Sequence, residues 1–348
     1  MPHFACNSAA RAAAVVVAAL FLAAAAPGTR AQSPEEFYKG RQLSLVVFTG
    51  AGSTYDIYAR VLARHLGDHI AGKPTVIVQN MPGAGGLKVE EYLYRIAPKD
   101  GSVIGTIGRG LPFEPMLGQG GTVDPLKFTW LGSMNRDISL AMSWRTSKVK
   151  TFSDLQHQQL LVAGTGAGAD SEIMPLAFNR LAGTKFKIIE GYRDTSVAAL
   201  AMERGELDGL SYWSWSSIMS AHPDWVRNKM VNLLFETGVD PIPAAPEVPR
   251  IRQLVTEPTS RRALEFLLAR EIMGRPFLAP PNLPPDRAAT LRTAFAATLR
   301  DAAFLEDAKR TRLDISLVNG QQVDTLLKDS AGAPPEVLKL VKEALGRR

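Results

Sequence analysis

The stretch Leu43-Ser44-Leu45-Val46-Val47-Phe48-Thr49-Gly50-Ala51-Gly52-Ser53-Thr54-Tyr55-Asp56 decides how the chain is read. A short apolar run leads into a glycine-rich loop, after which Tyr58, Val61, Leu62 and Leu66 recur at helical spacing. That order spells buried strand, tight turn and amphipathic helix. It returns at Thr75-Val76-Ile77-Val78, the loop Pro82-Gly83-Ala84-Gly85-Gly86, and Val89, Tyr92, Leu93 and Ile96, with Val103 to Ile107 as a further strand. A third copy runs through Leu160-Leu161-Val162, the loop Gly164-Thr165-Gly166-Ala167-Gly168, and Ile173, Leu176, Ala177 and Leu181. Alternating strands and helices imply parallel sheets with right-handed crossovers. Ligands of such sheets lie beyond the carboxyl ends of the strands, where these loops fall. A loop that opens a helix offers unpaired N–H groups and the positive end of the helix dipole, so it holds an anion without a dedicated cation.

Outward from these loops, the N-terminus reads as a secretory leader. Ala12 to Ala26 is an unbroken apolar run preceded by Arg11, and Thr29-Arg30-Ala31 supplies small residues for cleavage after Ala31. The run is shorter than the roughly 20 residues that span a bilayer. Cys6 precedes it, so it is not a lipoprotein cysteine, and it is the single cysteine of the 348-residue chain. The expected mature protein therefore has no disulfides and relies on core burial. Loss of Arg11 and Arg30 lowers the formal net charge from +6 to +4. Basic residues are scattered without a run, which argues against nucleic acid as a partner.

The remaining elements divide into two lobes. The short helix after Ser33-Pro34-Glu35-Glu36 and the strand Phe128 to Leu131 belong to the first. Near residue 134 the chain crosses into a second, with strands at Ile138 to Trp144, Phe186 to Ile189, Leu210 to Trp213 and Val231 to Phe235. Pro241, Pro243, Pro246 and Pro249 punctuate a return linker. The C-terminal part reads as mainly helical and is expected to pack back on the first lobe. The expected division is 1–31 leader, 32–133 plus 245–348 first lobe, and 134–244 second lobe.

Catalytic patterns are missing. There is no Gly-x-Ser-x-Gly elbow, no Walker loop, and no complete Gly-x-Gly-x-x-Gly, since Tyr55 stands at the third glycine position. His65 and His69 are spaced i, i+4, but Leu66-Gly67-Asp68 lies between them instead of a zincin pattern. The chain is read as a non-enzyme with no metal and no cofactor. Arg109, Arg136 and Arg193 each follow a strand and could pair with a carboxylate, Arg193 foremost. Trp213 and Trp215 alternate as strand residues, which would turn both to one side.

Several of these segments together are similar to one family. Tyr55-Asp56 after a glycine loop, Asn80-Met81-Pro82-Gly83-Ala84-Gly85-Gly86, Ala97-Pro98-Lys99-Asp100-Gly101, Gly164 to Gly168 and Gly205-Glu206-Leu207-Asp208 occur in the order found in tripartite tricarboxylate transporter receptors of the Bug type. The resemblance covers essentially the whole mature chain. It implies a periplasmic-binding-protein-like (type II) α/β fold of two lobes, each a mainly parallel sheet flanked by helices. It also implies a monomeric periplasmic receptor that closes on a small organic acid and delivers it to integral membrane permease subunits. An exported enzyme acting on an organic acid, or a ligand-presenting subunit of a membrane sensor, are the alternatives. Carried onto this sequence, Gly52, Ser53, Thr54, Asp56, Pro82, Gly83, Ala84 and Gly85 would form the first wall of the site. Thr165, Gly166, Ala167, Gly168, Tyr192, Arg193 and Asp194 would form the second, with Trp213 beside them. Ser53-Thr54 stand where many members have glycines, Arg193-Asp194 replace a common Lys-Gly, and Trp213-Ser214-Trp215 is bulkier than usual.

Overall fold

The computed structural model describes residues 32–119, 122–166, 168–239 and 241–347. The expectations placed on the leader (1–31) and on Ala167 lie outside the described residues. Two sheets carry the architecture. The first has the order β11-β4-β10-β3-β1-β2, formed by β1 (Gln42–Val47), β2 (Thr75–Asn80), β3 (Val103–Thr106), β4 (Thr129–Ser133), β10 (Pro276–Ala279) and β11 (Val318–Asn319). The second has the order β7-β6-β8-β5-β9, formed by β5 (Ser139–Trp144), β6 (Leu160–Ala163), β7 (Phe186–Ile189), β8 (Gly209–Ser214) and β9 (Val231–Glu236).

The α/β architecture follows the alternation in the sequence, with an antiparallel addition in each sheet. β1 runs parallel to β2 and β3, and β6 to β7 and β8, as strand–loop–helix repeats require. β10 lies antiparallel between β3 and β4, and β5 lies antiparallel between β8 and β9. The C-terminal part is thus not helical alone. The four-residue run Pro276-Phe277-Leu278-Ala279 enters the middle of the first sheet, a contribution too short to show a period of its own.

Alternation along β1 sorts its side chains to two cores. Leu43, Leu45 and Val47 face the helices Thr54–Leu66 and Pro285–Thr298, meeting Tyr58, Leu62, Leu291 and Phe295. Val46 faces the opposite way, into a core that continues through Val89, Leu93 and Ile107. That second core does not stop at the first sheet. It runs through Leu264, Leu267 and Val341 of the C-terminal helices Pro258–Leu268 and Pro335–Ala344 to Ala177 and Phe178 of the helix Asp170–Ala182, and on to Leu160 and Val162. C-terminal helices therefore join the two sheets as well as covering the first. The helix Thr195–Glu203 closes the far face of the second sheet with Ala198, Ala199 and Met202.

Segments passing between the sheets are laced together. Met134 donates its N–H to Arg275 O at 3.0 Å, Gly274 to Asn135 O at 3.0 Å, and Asp137 to Glu271 O at 3.0 Å. Arg275, fully buried, pairs with Asp137 at 3.0 Å and donates to the hydroxyls of Ser216 and Ser217 at 3.0 and 2.8 Å. Its guanidinium lies 4.6 Å from the Tyr55 ring centre and 5.1 Å from that of Tyr58.

Gly132 in β4 has φ +146°, and a Cβ there would run into the Val318 carbonyl and come within 2.9 Å of the Phe295 ring. The obstacle on one side is backbone, which cannot rotate away. Gly132→Ala is expected to cost about 2–4 kcal/mol through strain and overpacking. Urea denaturation should show a lower midpoint with an unchanged slope, and an unshifted midpoint would contradict this packing.

Candidate functional site

A cavity of about 380 Å³ lies where the ends of β1, β3, β6 and β8 face one another across the two sheets. Its first-sheet wall includes Ser53, Thr54, Gly83, Ala84 and Gly85, and its second-sheet wall includes Thr165, Gly168, Arg193, Asp194 and Trp213. These ten sequence-predicted residues share one space. Tyr55, Gly86 and Thr195, which belong to the same expected loops, also line it, and Thr49, Arg109, Ser196 and Tyr212 join them from outside those loops. Phe48, Leu111, Ala198 and Leu210 supply an apolar portion.

Two helix N-termini open onto this cavity from different sheets. The helix Thr54–Leu66 is capped by Ser53, whose hydroxyl accepts from Asp56 N at 3.3 Å. The helix Thr195–Glu203 is capped by Asp194, whose Oδ1 accepts from Val197 N at 3.0 Å. In both, the cap serves the third helical residue. The N–H groups of Thr54, Tyr55, Thr195 and Ser196 find no acceptor among the described residues. Ala84 and Gly85 in the second glycine loop likewise have N–H groups with no acceptor there.

The third glycine loop is different. Thr165 N donates to Ser171 Oγ at 3.0 Å and Gly166 N to Glu172 Oε1 at 2.8 Å, so these two amides are engaged within the second sheet's own unit. What this loop contributes is close approach. Gly166 has φ +129°, and a Cβ on it would lie 3.0 Å from Gly85 N across the gap. Only glycine suits both the conformation and the distance.

Five expected residues stand outside the lining. Gly52 donates its N–H to Asp56 Oδ2 at 2.8 Å, Pro82 is exposed, Gly166 sits at the loop contact just described, and Tyr192 packs against the second sheet's far core. Asp56 is the fifth. Its buried carboxylate takes hydrogen bonds from Gly52 N, Arg60 Nε and Asn80 Nδ2, each at 2.8 Å, and so ties the first glycine loop to the end of β2. Three of its roughly four acceptor sites are taken by the protein, which makes it a loop organiser beneath the cavity. Trp215 also departs from expectation. β8 ends at Ser214 and Trp215 begins the helix Trp215–Ala221, so the two tryptophans do not alternate on one strand. Trp213 alone reaches the cavity, 5.7 Å from Trp225 and 5.6 Å from His222, which stacks on Trp225 at 4.0 Å.

Behind the cavity lies a buried polar network. Asp170 Oδ2 accepts from Arg109 Nε at 3.0 Å and its Oδ1 from Arg270 Nη1 at 2.7 Å. Burial works to raise the Asp170 carboxyl, but Arg270 and Arg109 outweigh it and hold the group below the ordinary carboxylate value. Tyr212 donates to Glu271 Oε1 at 2.9 Å, and Thr237 also donates to that oxygen. Burial pushes Glu271 up to about 6. Arg193 is exposed on the rim and pairs with Asp194 at 3.1 Å. Arg136 is exposed. His65 Nε2 lies 3.0 Å from Asp307 Oδ2 and His69 Nε2 lies 3.7 Å from Asp301 Oδ2. The described residues hold no cluster of three metal-ligating side chains. No described helix is long and apolar enough to cross a membrane.

With this geometry in view, comparison with solved structures places the fold. The chain has the two-lobed fold of periplasmic solute-binding proteins of the Bug and TctC type. It is similar to the periplasmic binding protein BugD, at 20% identity, 88% of this chain, 98% of the other and a TM-score of 0.70. It is similar to MatC from Rhodopseudomonas palustris with bound malate, at 19% identity, 88% and 99% coverage and a TM-score of 0.67. An R. palustris protein with adipate matches at 16% identity, 88% and 98% coverage and a TM-score of 0.68. No protein-family model matches the chain. No curated protein matches it either.

Asp56 gives a pH-dependent test of the loop. Burial works to raise its carboxyl, but the hydrogen bonds from Arg60, Gly52 and Asn80 prevail and keep it below the ordinary value. A depressed folded value means that its stabilisation is full above the unfolded pKa of about 4 and fades as pH falls through the lower folded one. Asp56→Asn is expected to cost about 2 kcal/mol at neutral pH. The gap between wild type and variant, read from urea melts, should be flat above about pH 5 and shrink below about pH 4. A gap that widens on acidification would overturn this role for Asp56.

Proposed function

We propose that this chain is an extracytoplasmic receptor that binds a small organic carboxylate between its two sheets and delivers it to a tripartite tricarboxylate-type membrane transporter. The observation that carries the reading is the meeting of two helix N-termini, one from each sheet, in a single cavity with their first-turn N–H groups unengaged. Such groups bind an anion through partial charge and hydrogen bonds. They come from separate lobes, so the closed arrangement makes contacts that an open one lacks. A ligand with that difference in affinity shifts the population toward closure. The malate and adipate carried by similar folds support the carboxylate class.

In this reading residues 1–31 are the export leader, cleaved near Ala31. The first lobe comprises 32–133 plus 245–348 and the second 134–244, working as a monomer in the periplasm. Lobe closure is the signal passed to the permease. The enzyme alternative needs a free general base in the cavity. The two carboxylates lining it are Asp170, held by Arg109 and Arg270, and Asp194, occupied by Val197 N and Arg193. Each of these four oxygens already accepts a hydrogen bond from the protein, which favours binding over turnover.

Calorimetry of the purified protein against short-chain carboxylates should show one equivalent bound, and the ligand should be recovered chemically unchanged. Turnover, or no heat with any carboxylate, would reject the reading. Gly166→Val should weaken that binding about tenfold or more, because its side chain would meet Gly85 as the lobes close. If affinity survives in a folded Gly166→Val protein, closure at this glycine contact is not part of binding.

A further inference from the structure

Glu90 lies on the helix Leu87–Glu91, directly after the second glycine loop, and is only 1% exposed. Its Oε1 is buried with no hydrogen-bond partner among the described residues. Its neighbours Val89 and Leu93 belong to the apolar core behind the first sheet. Glu91 pairs with Arg95, and Glu114 with Arg347 at 2.9 Å, whereas Glu90 has no ion pair among the described residues. A carboxylate taken out of water without a cation or a donor is costly, and such a group takes up a proton instead.

The charges that reach Glu90 are both negative. Glu91 stands beside it on the helix, and Glu114 acts on it from the end of the segment Leu111–Phe113. Burial and these two acids push Glu90 up to about 7. Glu114 is itself buried, and its Oε1 also lacks a partner among the described residues. Burial raises Glu114 above the ordinary carboxylate value, with Asp170 adding to the effect and Arg270 and Arg347 acting against it.

The place of this acid pair ties it to the loops. A Cβ on Gly86 would lie 2.9 Å from Leu111, so the segment leading to Glu114 packs directly under the second glycine loop. A Cβ on Gly168 of the third loop would lie 4.0 Å from Glu114 Cγ. The helix that carries Glu90 is five residues long. It is entered through Gly85 and Gly86, both with positive φ, and left through a wide turn in which Ala97 N donates to Tyr92 O at 2.8 Å. So short a helix has few hydrogen bonds of its own, and side-chain packing has to hold it in place.

We propose that Glu90 is a proton-binding site built under the second glycine loop: neutral, it seats the helix Leu87–Glu91, and on losing its proton it loosens that helix and the loop before it. The proton passes to solvent and leaves a second negative charge facing Glu114. Ala84 and Gly85, which line the cavity, are thereby held firmly in mildly acidic medium and less firmly in alkaline medium. The inference concerns the protein without ligand and stands apart from the receptor reading.

Glu90→Gln, which keeps the shape and the neutral state, tests it in urea melts from pH 4 to 8.5. A raised folded value means that the stabilisation is full below the ordinary carboxylate value of about 4 and is lost as pH rises through the folded one. Wild type and variant should therefore be nearly equal at pH 4. The folding equilibrium constant of the variant should exceed that of wild type by about a hundredfold at pH 8. A gap that does not change with pH, or one that grows toward acid, overturns the proposal. Hydrogen exchange read by mass spectrometry, corrected for the intrinsic rate, locates the effect. From pH 6 to 8 protection over residues 83–96 should fall about tenfold more than protection of the helix Thr54–Leu66 in wild type, and equally with it in the variant. Equal changes in wild type overturn the loosening. If the variant does not fold, the wild-type exchange decides alone.

Discussion

The carboxylate of Asp170 is the point on which the arrangement of the two sheets turns. It stands in the first turn of a helix packed on the second sheet, and it receives one guanidinium from the loop after β3 and another from the segment that leads back toward β10. Three remote stretches of chain are thereby held at one atom group. A buried ion pair of this kind is poor evidence for net stability, because desolvating the charges offsets their attraction. Its value lies in register: few other placements of these stretches satisfy both oxygens. The Arg275–Asp137 pair does the same where the chain crosses between sheets, with Ser216 and Ser217 accepting from Nη2.

The charged groups that line the cavity, Arg109, Asp170, Arg193 and Asp194, are paired with one another or with other protein groups. The first and second glycine loops and the turn at Thr195 present backbone and hydroxyl groups, which need no side-chain entropy to be in place. Asp56 and Asp194 stiffen two of these loops from within, each accepting from N–H groups of its own loop or helix start. The acids near the site thus act mainly on the protein, and donors are what face the cavity.

Much of the fold was legible in the sequence because the strand–glycine loop–helix units are local. Leu43 to Asp56 shows strand, turn and helix in one window, and ten residues expected at the site do share the cavity. Other parts depend on contacts that no window contains. β10 is four residues long and takes its identity from β3 and β4 on either side. Trp215 looks like a strand residue by alternation, yet Ser214 ends β8 and a helix begins. Asp56 at a helix start reads as a group that orients a water or its loop, but its partners Arg60 and Asn80, four and twenty-four residues away, are visible only in the fold. The prominence of Arg109 was hidden for the same reason. Arg109, Arg136 and Arg193 all follow strands, and only the partners Asp170 and Ser139 distinguish the buried one from the two on the surface.

The aromatic group beside the cavity has an optical consequence. Trp144, Trp225 and Trp213 form a chain with ring centres 5.6 and 5.7 Å apart, and His222 lies against the latter two. Indoles this close exchange excitation readily, so light absorbed anywhere in the chain is emitted in part by the ring that touches the cavity. Ultraviolet emission from this trio is therefore a built-in gauge of whether the cleft is filled with solvent or with a guest, requiring no attached dye.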